Sequence, residues 1–409
     1  MDAEQLRPLE AGPGLALRPW SWLLRGLRVG RLRVDGPGGR GFTATGEAAG
    51  PEARILLHRP LNLLNRVMRR GAMGFAEGYM AGEWESNDLT ALLTLATRNQ
   101  AALGRASEGG RLARWRETLG HRTRANTRRG SRRNIAAHYD LGNDFYRLWL
   151  DPTMTYSAAL FAPGEDNLAA AQRRKYQRLL RQLDARPGDH ILEIGCGWGG
   201  FAMEAARCGY RVTGITLSRE QLAWARDRVA EAGLSDRVDL QLRDYRDLEG
   251  TWDHVVSIEM FEAVGEAWWP TFFETVGRCL RPGGRAALQV ITIDESVFDD
   301  YRRGADFIQR YIFPGGMLPS ITAFRERAGE AGLRVSGLDR FGHDYARTLQ
   351  AWHRRFLEVL PRVREQGFDD RFIRMWRYYL SYCTAGFQTG RIDLIQTTLE
   401  HPGGEHPDG

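Results

Sequence analysis

The ten residues Ile191–Gly200, ILEIGCGWGG, constrain the fold more than any other stretch of the 409-residue chain. An apolar run ends in an acid, Glu193, and passes into a turn carrying Gly195, Gly197 and Gly199. A helical pattern opens at about Phe201. Glycines let a backbone turn sharply and approach a ligand closely, and open α/β sheets bind ligands at the carboxyl ends of their strands. A lone G-x-G carries little weight, and a merely structural turn is its competing reading. Here the turn follows a strand, precedes a helix and heads an alternating region. Short apolar runs recur at Arg211–Ile215, Val238–Leu242, His254–Ile258 and Ala286–Ile291, with helical patterns such as Glu220–Ala232 between them. Such alternation predicts a doubly wound, mostly parallel sheet.

The chain is long enough for two domains. Residues 1–105 read as a smaller N-terminal α+β unit. In it Arg31–Thr45 alternates around a glycine-rich turn, as a hairpin does, Ala53–His58 is a further strand, and helical spacing begins at Leu61. Residues 106–134 read as a linker with nine arginines between Arg111 and Arg133. That segment is either a solvated connector or a polybasic surface for anionic lipid headgroups. Residues 135–400 form the sheet domain, and 401–409 (HPGGEHPDG) read as a disordered tail.

Composition narrows the function classes. The net charge of +6 favours an anionic partner, with plain solubility the competing reading. The four cysteines (Cys196, Cys208, Cys279 and Cys383) form no CxxC pair, so neither a zinc knuckle nor a redox motif is written here, and no metal site is expected. The opening MDAEQLRPLEAG lacks a basic region followed by an apolar run, and no stretch of about 18 apolar residues occurs. A cytoplasmic protein that meets membranes only peripherally is the expectation.

The E-x-G-x-G-x-G form resembles motif I of the class I, Rossmann-like methyltransferases, whose loop cradles the methionine part of S-adenosylmethionine. That resemblance implies a seven-stranded sheet. It also implies cofactor contacts from Glu193, Gly195, Cys196, Gly197, Trp198 and Gly199. The next strand end carries no acid for the ribose. Thr216, Leu217, Ser218 and Gln221 stand there instead. Asp244 is placed for the adenine amino group and Tyr245 beside the ring, with loop packing the rival reading for Tyr245.

GCGWG followed by GITLS-x-x-Q resembles the cyclopropane-fatty-acyl-phospholipid synthases and their mycolic acid relatives. Further boxes agree: HYDLGNDFY at 138–146, DPTMTYS at 151–157, YIFPGGMLPS at 311–320 and FGHDYARTL at 341–349, with Asp344 in place of a histidine. The likeness extends upstream into GAMGFAEGYMAGEWES, so the N-terminal unit resembles the sterol-carrier-like module of the two-domain synthases. It is a candidate for docking or for homodimer contacts. The resemblance implies attack of a cis double bond of a phospholipid acyl chain on the methyl of S-adenosylmethionine, and then loss of a proton from a carbocation. In relatives the base is a bound bicarbonate. Tyr156 and Ser157 join the cofactor set, and Tyr139, Phe145, Tyr146 and Tyr156 offer aromatic faces to a positive centre, with core packing as their alternative.

The family's bicarbonate pocket maps onto Glu262, Ile291, Tyr345, Ala158 and Gln289. The last two replace a cysteine and a histidine, which makes bicarbonate a weaker expectation here. EMFEAVG and LQVIT resemble a branch that makes methylene- or methyl-branched chains as well as rings. Glu262 and Tyr345 are expected to organise the base, although an acid at a helix start also suits the dipole. Cys383 matches a cysteine named as an active-site residue in the family, but a cysteine on an apolar helix is more often inert packing. Asp306–Pro319 and the Trp268–Trp269 pair are candidates for the substrate entrance, with core packing expected of one tryptophan. Two other readings compete. A small-molecule or nucleic-acid methyltransferase would share the glycine loop, but it has no use for YIFPGG…LPS, and no nucleic-acid partner is expected. A catalytically inactive lipid-binding protein would not need the intact GCGWG loop.

Overall fold

Arg31 to Thr45 folds as the hairpin its alternation predicts, and the sheet around it builds the first of two units. The computed structural model describes residues 14–106 and 141–401. Strand β1 (Val29–Asp35) pairs antiparallel with β2 (Gly41–Thr45) and parallel with β3 (Ala48–Leu57). The short β4 (Trp84–Glu85) closes the sheet order β2-β1-β3-β4. The helical run Pro60–Met80 is broken at Gly71, whose φ of 53° and ψ of −134° are not helical. A second helix, Leu89–Arg98, is capped by Asp88, which accepts the Ala91 N–H at 2.8 Å.

This unit also takes a helix from far along the chain. Asp370–Gln388 groups with the N-terminal residues, not with the sheet domain that surrounds it in sequence. The single span 135–400 expected for the catalytic domain is therefore interrupted. The reason lies in the helix's apolar face. Tyr378 packs on Tyr79 at 5.8 Å between ring centres, Arg374 pairs with Glu85, and Thr94 bonds Gln388 at 3.2 Å.

The second unit is the doubly wound sheet. Its seven strands run in the order β10-β11-β9-β8-β5-β6-β7. They are β5 (His190–Ile194), β6 (Arg211–Thr216), β7 (Val238–Leu242), β8 (His254–Ile258), β9 (Arg285–Ile293), β10 (Arg334–Arg340) and β11 (Ile392–Glu400). Strands β5 to β9 are mutually parallel, and β11 enters antiparallel between β9 and β10. Alternate residues face opposite ways along a strand, and the core divides accordingly. Ile191 faces helices Leu168–Leu183, Gly200–Arg207 and Arg219–Glu231, whereas Leu192 and Ile194 face Trp269–Cys279 and Ile321–Glu330. Between β5 and β8 the strand order reverses, so the crevice at their carboxyl ends is a topological switch point.

Phe273 is fully buried among Phe261, Phe272 and Phe324, with ring centres 5.1–5.6 Å away. Phe273→Ala is expected to cost about 3–5 kcal/mol through lost burial and the cavity left behind, measured as a fall in the urea unfolding midpoint of the second unit. A change below about 1 kcal/mol would show that this aromatic cluster does not hold the layer.

Candidate functional site

At the end of β5 the chain turns through Gly195, Gly197 and Gly199, with φ of 92°, 51° and 80°. All three are left-handed conformations that side chains rarely adopt. A Cβ at Gly195 would lie 2.9 Å from Met260, so that turn has no room for one. A Cβ at Gly197 would meet nothing within 4 Å: it would project into open space beside the loop. Glu193 is buried, and its Oε2 has no hydrogen-bond partner. Burial pushes its carboxyl up to about 8, against the Ala202 N–H and the charge of Lys175. An acid with one open oxygen beside the glycine turn fits the ammonium and chain of a methionine moiety, as the S-adenosylmethionine expectation requires.

The remaining cofactor candidates divide. Trp198 Nε1 donates to Asn143 Oδ1 at 2.7 Å, tying the loop to the helix Asn143–Trp149. Thr216 Oγ1 accepts from the Ser218 N–H at 3.1 Å, Ser218 Oγ accepts from the Gln221 N–H at 3.2 Å, and Leu217 sits half-buried between them. This polar turn follows β6, where the sequence lacks the usual acid. Asp244 is buried and engages Arg246 with both oxygens, at 2.9 and 2.7 Å. Tyr245 is core: its ring packs edge-on to Phe272 at 5.7 Å, and burial pushes its hydroxyl up to about 12. Cys196 is buried, with its thiol pushed well up by burial.

A wall of aromatic rings runs from the glycine loop. Trp198 lies 5.1 Å from Tyr146, Tyr146 lies 5.3 Å from Tyr156, Tyr156 lies 5.2 Å from Trp352, and Trp352 lies 6.2 Å from Tyr345. Phe145 and Trp149 pack behind it. Of the four rings expected to face a cation, Phe145 and Tyr146 are fully buried, Tyr156 is partly open, and Tyr139 lies outside the described residues.

The wall ends at two carboxyls. Glu259 follows β8 in a left-handed conformation, φ 49°. Its Oε1 accepts from the Ala158 N–H at 2.8 Å and from Gln289 Nε2 at 2.7 Å, and its Oε2 accepts from Tyr345 Oη at 2.6 Å. Glu262 Oε1 accepts from the Ile291 N–H at 2.5 Å, while its Oε2 has no partner. Thus Glu262, Ile291, Tyr345, Ala158 and Gln289 do gather, but around a residue the sequence reading passed over. Gln289 is aimed by Gln396, directly opposite on β11, whose Nε2 donates to Gln289 Oε1 at 2.9 Å. Asp344 accepts from the Phe161 N–H at 2.9 Å and so pins the loop that follows Ser157. The YIFPGG segment folds over Glu262, whose carbonyl accepts the Met317 N–H at 2.7 Å. Trp269 is core, stacked on Phe261, while Trp268 is half-buried under Arg246.

A buried cation completes the cluster. Lys175, on the helix Leu168–Leu183, is fully buried and donates to Ser157 Oγ at 2.6 Å. Burial pulls its ammonium down to about 7, against the charges of Glu259, Asp151 and Glu193. A sequence signal for it exists, since Lys175 is the only lysine in the chain and every other basic side chain of that class is arginine. Glu259 is raised by burial, against Lys175 and its three donors, and Glu262 is pushed up to about 8 by burial and by the Glu259 charge. Both carboxyls are thus held above the usual range: the three donors and Lys175 oppose the rise at Glu259, and Glu262 keeps its proton at neutral pH. Cys383 lies half-buried on the helix Asp370–Gln388 of the first unit.

Comparison with known proteins places this geometry. Residues 126–397 match the family model described as mycolic acid cyclopropane synthetase. Over 373 residues the chain is 43% identical to tuberculostearic acid methyltransferase UfaA1 of Mycobacterium tuberculosis, spanning 88% of this chain and 86% of that protein. It is 36% identical over 344 residues to the cyclopropane-fatty-acyl-phospholipid synthase of Escherichia coli, spanning 83% and 85%. Among solved structures, mycolic acid cyclopropane synthase CmaA1 complexed with SAH and CTAB aligns with a TM-score of 0.62 at 32% identity, over 66% of this chain and 97% of that one.

Two measurements check the site. Gly197→Ala puts a Cβ into the open space of the loop and is expected to weaken S-adenosylhomocysteine binding about tenfold or more by calorimetry, with a stability cost of only about 1–2 kcal/mol from the left-handed backbone. Unchanged affinity would refute the cradle. Glu262, with its folded value raised from 4.5 to about 8, contributes stability that is present below 4.5 and lost as pH rises through about 8. Glu262→Gln removes that titration. Its urea midpoint relative to wild type is therefore expected to improve between about pH 5 and about pH 9, and a constant difference would refute the neutral acid.

Proposed function

The chain belongs to the mycolic acid cyclopropane synthetase family, S-adenosylmethionine-dependent enzymes that modify lipid acyl chains, and from that premise we propose that it transfers a one-carbon unit to a cis double bond in a membrane phospholipid. The observation that carries this reading is the aromatic wall, continuous from the glycine loop to the half-buried Glu259–Glu262 pair. An alkene is a feeble nucleophile, so the protein contributes positioning and a dry surround. The partly open ring of Tyr156 then stabilises positive charge on the acyl carbons, by roughly 0.5–2 kcal/mol. A proton beta to a carbocation is strongly acidic, so its acceptor needs correct placement more than high basicity.

Bound S-adenosylmethionine supplies the electrophilic methyl, and the alkene's π pair makes the new carbon–carbon bond. Loss of a proton then gives either a cyclopropane or an exocyclic methylene. The departures at Ala158 and Gln289, and the 43% identity to a relative named as a methyltransferase, favour a branched chain over a ring. A catalytically inactive lipid carrier would have no need to keep the Glu262 carboxyl bonded to the Ile291 N–H.

The acyl chain lies in a bilayer, and no helix among the described residues is long and apolar enough to cross one. The surface we assign to docking is on the first unit. Leu15, Trp22, Leu61 and Met68 are exposed there, Leu61 and Met68 are seven apart on the same helix, and Trp20 Nε1 bonds the Pro60 carbonyl at 3.0 Å, tying Trp22's helix to theirs. Exposed Arg18, Arg25, Arg59 and Arg69 flank them in sequence, as suits an anionic membrane.

Incubation with S-adenosylmethionine and vesicles of dioleoylphosphatidylglycerol is expected to add the mass of one CH2 to the oleoyl chains, with a vinylidene signal in the product NMR. A cyclopropane signal would select the ring, and no mass gain on lipid would refute the reading. Trp22→Ser with Leu61→Ser is expected to lower vesicle binding about tenfold while leaving S-adenosylhomocysteine affinity unchanged. Undiminished vesicle binding would move the docking face elsewhere.

A further inference from the structure

We propose that Glu259 is a built-in anion that takes the place of bicarbonate and accepts the proton from the carbocation. This rests on the proposed lipid reaction and deepens it. The five positions that the sequence resemblance maps to a bicarbonate pocket are all present, and Glu259 uses three of them itself: the Ala158 N–H, the Gln289 amide and the Tyr345 hydroxyl. The other two, Glu262 and Ile291, bond each other. A planar carboxylate presents the same pair of oxygens as bicarbonate, so one occupant excludes the other.

The backbone supports a functional reason for an acid here. Glu259 holds φ at 49°, a conformation in which glycine would be unstrained. Side chains kept in such conformations cluster at sites where the strain serves a purpose. The replacements fit as well. Ala158 is a small residue with no exposed surface, and Gln289 is rotated by Gln396 so that its N–H faces the carboxylate. Lys175, reaching the same loop through Ser157, supplies the counter-charge a buried carboxylate needs.

The geometry leaves Glu259 able to act. Oε1 takes two donors and Oε2 only the tyrosine hydroxyl among the described residues. A carboxylate oxygen has two lone pairs, so Oε2 keeps one. The step then balances. The alkene π pair forms the carbon–carbon bond as the sulfur–methyl bond breaks, with that pair staying on sulfur. The carbocation gives a proton to Glu259 Oε2, and the C–H electron pair closes the ring or forms the exocyclic double bond. The neutral carboxylic acid returns its proton to solvent after product leaves.

The test compares wild type, Glu259→Gly and Glu259→Gln in buffer stripped of carbon dioxide. Wild-type turnover on dioleoylphosphatidylglycerol vesicles is expected to stay within about twofold whether bicarbonate is absent or added. Glu259→Gly, which relieves the backbone strain and empties the pocket, is expected to lose about 100-fold or more. Formate or bicarbonate then restores at least tenfold, whereas Glu259→Gln, whose amide fills the space, stays inactive. Binding gives a readout free of turnover: formate raises the melting temperature of Glu259→Gly and leaves wild type unmoved, with S-adenosylhomocysteine affinity within about twofold in all three. A wild type that needs bicarbonate, or a Glu259→Gly that turns over normally without any anion, overturns the proposal. A wild type that modifies no lipid refutes the proposed function instead, and the formate shift still reads whether the pocket is built for an anion.

Discussion

One half-buried acid, Glu259, and the groups that bond it hold the second unit's crevice in shape. Burying a charge costs several kcal/mol unless good donors and an opposite charge replace its water. Glu259 obtains each from a different part of the chain: the Ala158 N–H from the loop after Ser157, the Gln289 amide from β9, and the Tyr345 hydroxyl from the helix Gly342–Glu358. Lys175, through Ser157, binds a fourth element to the same point. Displacing any one of these would leave a buried polar group unpaired, so the elements are held in mutual register by chemistry more than by shape.

The crevice also lies where the topology would put it. The glycine loop follows β5 and Glu259 follows β8, adjacent parallel strands that part company at the switch point. The glycine loop and Glu259 thus sit at neighbouring strand ends, with the chain of aromatic rings running from one to the groups around the other.

Much of this was legible in the sequence. His254–Ile258 forms a strand at the bounds its apolar run predicts, because a strand buried on both faces writes itself as a continuous apolar stretch, and the edge strand Val238–Leu242 (VDLQL) shows instead as alternation. Strand β10 (RVSGLDR) was not legible, since it lies at the sheet edge with most of its residues open to solvent. The Asp370–Gln388 helix was legible as a helix, but nothing in its pattern names the unit it packs on. At the site, the gathering of Glu262, Ile291, Tyr345 and Gln289 followed from ordered boxes. Glu259 sat in the same quoted stretch, EMFEAVG, and was missed because its inward turn depends on a positive φ that no propensity rule grants to glutamate. Lys175 was missed because one basic residue in QRRKYQRLL looks like solvated helix surface. Its rarity, not its pattern, was the signal.

That rarity has a practical corollary. Apart from the chain's amino terminus, this protein offers a single primary amine, and the fold seals it in. Reagents that acylate amines will find no other lysine, since every other strongly basic side chain is a guanidinium, whose charge persists to strongly alkaline solution. Lysine labelling therefore acts as a clock on one event, the opening of the catalytic unit, and its rate counts how often that interior breathes.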